Sequence, residues 1–273
     1  MTCSRHHSVT FRNAPALRLI AALLAFSVCF CVISAAPALA QSAQAPLRIV
    51  LSDDGISADY PGVYAEGSTL TITLPGEYLL EGALSNGRII VDCEQTGKVR
   101  LCFAGVSIHC EDGPALHIKK CSPRLTIELK ADTVNNLSDG AVYANQDKVD
   151  AVIYSKSDLT ITGEGTLNIS GAYRDGIVSK DDLRIKGGKI NVEAVHNGIC
   201  GKDCVEIFDG EISVIAGNDG IKTTNEDAGL GYISMEGGTV TVLCGDDPLS
   251  FVHGFFQIGG TINTRTDPSM KKK

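Results

Sequence analysis

The sequence contains no tryptophan, and aromatic residues make up only 5% of its 273 positions. A helix-rich core built on large rings is disfavoured, and an indole platform for stacking sugars is ruled out. Positive charge is also scarce: 24 Lys and Arg stand against 32 Asp and Glu, a formal net charge of −8. So acidic a chain lacks the basic footprint that nucleic acids and anionic lipid surfaces require, so neither is expected as a partner. No CxxC pair or Cys/His arrangement with zinc-finger spacing occurs, nor does a GxSxG, HExxH or Walker pattern. The stretch GEGTLNISG (163–171) lacks the third spaced glycine of a dinucleotide loop.

What is present is 44% hydrophobic residues, with glycine and proline at 29 and 9. That composition suits a folded chain rich in turns and small β-formers. Residues 1–40 have the form of a signal peptide. Arg5, Arg12 and Arg18 precede the apolar run LIAALLAFSVCFCVISAA, and Ala38-Leu39-Ala40 offers a small-x-small cleavage site before Gln41. The alternative is an uncleaved single-span anchor. Cleavage predicts a secreted, cell-surface or periplasmic protein with no membrane association. Seven cysteines remain after it: Cys93, Cys102, Cys110, Cys121, Cys200, Cys204 and Cys244. They are expected as disulfides or as buried small apolar side chains.

From about Ser157 the chain repeats itself. SDLTITGEGTLNISGAYRDGIVSK (157–180), DDLRIKGGKINVEAVHNGICGK (181–202) and DCVEIFDGEISVIAGNDGIKTTN (203–225) align, GYISMEGGTVTVLCGDDPLSFV (231–252) follows, and GFFQIGGTINT (254–264) begins another unit. Periods of this length mark solenoids. Each unit holds short stretches of alternating apolar residues around a glycine, with no room for a helix between strands. The pattern predicts an all-β, right-handed, single-stranded parallel β-helix of about eight coils. Inward ladders are expected at Ile177/Ile199/Ile221/Leu249 and at Ile185/Ile207/Met235/Ile258. The β-helix is placed at 67–265, with 41–66 as an N-terminal cap or edge segment and 266–273 as a disordered tail.

The turns RDGI (174–177), HNGI (196–199), NDGI (218–221) and DDPL (246–249) stack Asp175, Asn197, Asp219 and Asp247 along one edge. Carboxylates about 4.8 Å apart repel, and a Ca²⁺ ion between coils would relieve the repulsion. Asp246, Glu226 and Asp227 add acid nearby. Asp-Gly and Asn-Gly are equally tight-turn pairs, so a purely structural ladder stands beside the metal reading. A second column, Lys156, Lys180 with Asp181, and Lys202, could hold the carboxylates of a sugar acid, or supply a general base. It could also be a self-neutralising surface corner.

At these residues the chain resembles the secreted bacterial carbohydrate-binding parallel β-helix family of cellulolytic clostridia. The likeness runs through GEYLLEGALSNGRIIVD (76–92), GVSIHCEDGPALHIK (105–119), LSDGAVY (137–143), AVIYSKSDLTITGEGTLNISG (151–171), DGIVSKDDLRIKGG (175–188) and NDGIKTTNEDAGLGYISMEGG (218–238). The resemblance implies a polysaccharide-lyase-like fold, bound calcium, and association with cellulose and polygalacturonate without clear lyase activity. It further implies calcium or glycan contact at Asp175 and Asp219, with Asn197 standing where the family usually has Asp.

The expected function is therefore noncatalytic binding of an acidic or plant cell-wall polysaccharide with calcium support. Two rivals have distinct signatures. A calcium-dependent uronate lyase using Lys180 or Lys202 as base would release unsaturated product. An adhesive surface solenoid would retain a protein and no glycan.

Overall fold

The computed structural model describes residues 45–144 and 148–271. The candidate signal peptide, residues 1–40, lies outside the described residues. The described chain is a parallel β-solenoid whose strands form a 13-stranded and a 9-stranded sheet. In the smaller sheet only Val63–Glu66 runs antiparallel to its neighbour, so its other strands define eight coils. Among the described residues the one helical element is a 3-10 turn at Pro268–Met270.

Each full coil presents three faces. The repeat 182–201 shows how the sequence makes them. In Asp182–Ala194, Leu183 and Ile185 point inward while Arg184 points out; Ile190 and Val192 then resume the inward set. Gly187 and Gly188 separate the two halves and bend the strand from the first face onto the second. At the equivalent corner Gly163 has φ +102°, and a Cβ there would sit 2.1 Å from the Leu129 carbonyl oxygen. Only glycine fits so tight a stack. After a turn at Val195–Gly198, Ile199–Gly201 forms the third face.

Parallel register converts these alternations into ladders. Ile177, Ile199, Ile221 and Leu249 pair in succession, as expected. The second ladder runs Ile185, Ile207, Met235 and then Gln257, not Ile258. The cause is the glycine pair: the Ile258 and Gly259 N–H groups both donate to the Met235 carbonyl, which seats Gly259-Gly260 on Gly237-Gly238 and turns Ile258 outward. Ile258 is 79% exposed.

The ends differ from each other. Leu47–Leu51 already stacks in parallel on Gly76–Leu84, so the first face begins before residue 67. Ile56, Ala58 and Tyr60 then pack against the core. The described part of the tail, expected to be disordered, makes specific contacts. Asp267 caps the 3-10 turn through the Ser269 N–H, and Lys271 Nζ reaches Asp246 Oδ2 at 2.6 Å. The Asp267 N–H also donates to the Cys244 carbonyl at 2.7 Å, so backbone pairing and an exposed ion pair together place the tail.

Candidate functional site

The turn ladder forms between the second and third faces. Asp175, Asn197 and Asp219 are 5%, 5% and 3% exposed, an unusual depth for these side chains. Each places Oδ1 on the backbone N–H of its successor: Asp175 on Asn197 at 3.0 Å, Asn197 on Asp219 at 3.2 Å, and Asp219 on Asp247 at 3.2 Å. The repeating Asx-Gly turn turns its N–H groups toward the preceding coil, and a short side-chain oxygen satisfies each one.

Further donors reach the same side chains. His196 Nδ1 lies 2.7 Å from Asp175 Oδ1, and the Asn197 amide donates to the same oxygen at 3.2 Å. Asn218 Nδ2 donates to Asn197 Oδ1 at 2.9 Å, and Lys222 Nζ donates to Asp219 Oδ2 at 2.7 Å. A calcium ion needs several oxygens at about 2.3–2.6 Å. Here it would meet an ammonium and two amide donors, so the residues of the 175/197/219 ladder do not fit one. The other expected metal residues are dispersed. Asp247 is exposed, Asp246 is engaged by Lys271, and Glu226 and Asp227 lie beyond the far end of Ile221–Thr223.

Beside the ladder, on the outer side of the third face, lies a cleft of about 300 Å³. Lys180 and Lys202 line it, as do Arg174, Lys222 and His196; Asp150 and Asp175 form its acidic floor. Lys156 and Asp181 do not belong to its lining. Lys180 Nζ sits 5.4 Å from the centroid of the Tyr154 ring, and Lys202 Nζ lies 3.8 Å from Asp203. Arg174 Nε stands 3.6 Å from Asp150 Oδ2.

Burial works against the charge of Lys222, yet its hydrogen bond to Asp219 holds the ammonium above the ordinary lysine range. Burial and then the charge of Asp175 push the Asp150 carboxyl up. The same two causes raise the Cys200 thiol well above its usual value, so it is not a thiolate ligand. All seven described cysteines are unpaired, and those on the inner faces serve as small core side chains.

Lys222 and Arg174 escaped sequence reasoning although both had a signal. Lys222 follows Cys200 and Val178 in register, one place after the inward isoleucines, which makes it an outward residue of the third face. Arg174 precedes the first ladder residue as His196 precedes the second.

Asp181 belongs instead to the corner between the third and first faces. Ligand atoms of Asp158, Asp181 and Asp182 lie within 4.8 Å of one another there. Burial, a hydrogen bond shared with Asp203 and the charges of Asp158, Asp203 and Asp182 raise Asp181 to about 6. Arg184 crosses this corner, reaching Asp182 at 2.5 Å, Glu206 at 2.7 Å and Asp158 at 3.2 Å.

Comparison with known proteins agrees with this architecture. A solved structure, the gadolinium derivative of the polysaccharide lyase-like protein from C. thermocellum, superposes with a TM-score of 0.72 at 32% identity, covering 81% of this chain and 94% of that one. A carbohydrate-binding domain-containing protein of Acetivibrio thermocellus is 38% identical over 211 residues, 75% of this chain and 73% of the relative. The family model described as carbohydrate-binding domain-containing protein matches residues 66–273. With the match spanning almost the whole solenoid, the chain belongs to the carbohydrate-binding domain-containing protein family.

Proposed function

We propose that this protein is a noncatalytic, exported binder of acidic polysaccharide, and that the third-face cleft receives the carboxylates of the polymer. The observation that carries the reading is the concentration of cationic side chains at one place on an acidic chain: Arg174, Lys180, Lys202 and Lys222 line a single cleft. Net repulsion between the protein and a polyanion is screened beyond roughly 8 Å at physiological salt, so contact groups decide affinity. Lysines on successive coils recur at about the 4.8 Å strand spacing, which gives a polymer repeated carboxylate partners. Lys222 is unsuited to act as a base near neutral pH, since its ammonium is stabilised by Asp219, and it serves the cleft as a charge partner.

Binding of polygalacturonate is the test, measured in EDTA and in calcium with the same samples monitored for unsaturated uronide. Saturable binding in EDTA that Lys180→Ala and Lys202→Ala each weaken roughly threefold to tenfold, without product, is the expected result. Binding that survives both substitutions would defeat the cleft assignment, and product formation would replace the binder with a lyase.

A second reading has its own observation. The triad Asp158, Asp181 and Asp182 offers closely spaced oxygens of the kind calcium takes, and a divalent ion bridging a carboxylated glycan there would have to displace the Arg184 guanidinium from Asp158 and Asp182. Binding present only with calcium and lost in Asp181→Asn would favour it over the lysine cleft.

A further inference from the structure

Asp150 differs from the other acid of the cleft in having no ladder to hold. It lies one residue before Ala151, which pairs with Asp175 and takes the place in its coil that Asp175, Asn197 and Asp219 take in theirs. A carboxylate or amide at that place would accept the N–H of the next coil. Alanine cannot, and the Asp175 N–H donates to the Asp150 backbone carbonyl at 2.9 Å instead. The acid is thereby displaced by one position, out of the ladder and into the lining of the cleft, where Arg174 and His196 follow it on the next two coils.

Its carboxyl group is left underused. Oδ1 is buried and, among the described residues, has no hydrogen-bond partner, while Oδ2 faces Arg174 Nε at 3.6 Å, beyond hydrogen-bond reach. A buried acceptor of this kind calls for a donor. On the cleft side Asp175 is the neighbouring anion, and Lys180, Arg174 and His196 counter it. On the apolar side stand Tyr143, Tyr154 and Cys200, each kept protonated first of all by burial. Burial and the charge of Asp175 outweigh the cations and hold the Asp150 carboxyl above the ordinary carboxylate range.

We infer that Asp150 makes recognition in the cleft proton-linked: a polyuronate binds with the uptake of one proton, shared between the Asp150 carboxyl and a carboxylate of the polymer. The inference rests on the cleft reading above and adds the residue that regulates it. A carboxylate that enters to meet Arg174, Lys180 and Lys202 comes up against Asp150 in the same lining. Two such anions in a partly buried site do not both stay ionised, and once one is protonated they form a short O–H···O⁻ hydrogen bond. The buried Asp150 oxygen then gains its partner, and the cations of the cleft are left to the polymer. An Asp150 that stayed ionised and accepted a sugar hydroxyl would give the opposite response to loss of its charge, which makes the two roles separable.

Calorimetric titration of polygalacturonate into the chain from Gln41 onward, in EDTA at pH 5.5 and pH 7.5, tests the inference; carboxylates of ordinary pKa stay ionised across that range. The wild type should bind about tenfold more tightly at pH 5.5, since a linked proton changes affinity by up to about tenfold per pH unit. Heats compared in buffers of different ionisation enthalpy should show net proton uptake. Asp150→Asn keeps the backbone carbonyl that the Asp175 N–H needs and removes the charge. It should bind about tenfold more tightly than wild type at pH 7.5 and lose most of the pH dependence, whereas His196→Gln should keep that dependence whatever its affinity. Weaker binding by Asp150→Asn at pH 7.5, a pH dependence that disappears with His196 instead, or a wild type that takes up no proton would each overturn the inference. The last result needs no variant to fold. All three leave standing a cleft that Lys180→Ala weakens, whereas binding absent at both pH values, or indifferent to Lys180→Ala and Lys202→Ala, would overturn the cleft reading itself.

Discussion

Replacing Asn197 by Asp tests the account of the turn ladder directly, because it restores an uninterrupted acidic row by exchanging an amide nitrogen for an oxygen. In the wild type that nitrogen donates to Asp175 Oδ1 at 3.2 Å. Two carboxylates at that separation repel by about 5 kcal/mol at an effective dielectric of 20. The loss at pH 7 is capped lower, since protonating one carboxyl of ordinary pKa near 4 costs about 4 kcal/mol and the folded protein will take that route. The variant should therefore be less stable by about 4 kcal/mol at pH 7 in EDTA. The folded state then binds a proton that the unfolded state lacks, so the deficit shrinks by about 1.4 kcal/mol per pH unit on acidification and vanishes near pH 4. Urea unfolding followed by far-ultraviolet circular dichroism measures this, with the m-value as a control on cooperativity. Millimolar calcium should stabilise the variant more than the wild type, because only the variant presents facing oxygens without a donor between them. A loss under 1 kcal/mol at pH 7 would refute the hydrogen-bonded ladder.

Other consequences can be measured on the same footing. Ile207→Ala empties a buried position in the second inward ladder and should cost about 2–5 kcal/mol in urea unfolding, with coils on both sides affected. Gly198→Ala places a Cβ 2.2 Å from Val214 Cγ1 and 2.7 Å from the Gly220 carbonyl oxygen, so it should destabilise by about 1–3 kcal/mol or more although it removes no contact. Glu128 is held below the usual carboxylate range by its hydrogen bond to Lys130, against burial, with Arg100 assisting. Its contribution is present above the unfolded pKa and lost as pH falls through the folded one. Glu128→Gln should then cost about 1 kcal/mol at pH 7 and nothing at the acid end of a stability–pH profile. Cys121 is enclosed in the core and Cys102 is covered by Glu77 and Glu128 on the outer face, and burial raises Cys102 to about 12 and Cys121 to about 11. Both should resist a thiol reagent until urea unfolds the chain, and prompt labelling would show that the coils open locally.

The fold was legible because a stacked coil writes the same instruction several times. Leu183, Ile185, Ile190 and Val192 in one repeat recur as Val205, Ile207, Ile212 and Val214 in the next, and a glycine bend recurs between the halves. One error came from matching isoleucine to methionine at the last coil, where the backbone follows the glycines and Ile258 is left outside. The tail's contacts were illegible for a different reason: TDPSMKKK is solvated in composition, and its partners, the Cys244 carbonyl and Asp246, lie one coil away in a segment the tail does not point to.

The candidate site was legible as a place and not as a chemistry. Asx-Gly spacing located Asp175, Asn197 and Asp219 on one edge, yet nothing in the spacing distinguishes an oxygen facing a cation from an oxygen facing an N–H. That choice is made by third parties: His196 and Asn218, one residue before the ladder positions, and Lys222, three residues after Asp219. The same geometry explains why Lys180 and Lys202 share one cleft with Asp175 and Asn197, although the spacing assigns them to two separate columns. Ile199–Gly201 and Ile221–Thr223 are only three residues long, so the turn before the third face and the corner after it are close neighbours. The buried acids hold the coil register, and Lys180 and Lys202 stand beside them in the cleft proposed to receive the polysaccharide carboxylates. A solenoid can thus keep a strongly acidic composition and still offer a polyanion a cationic surface.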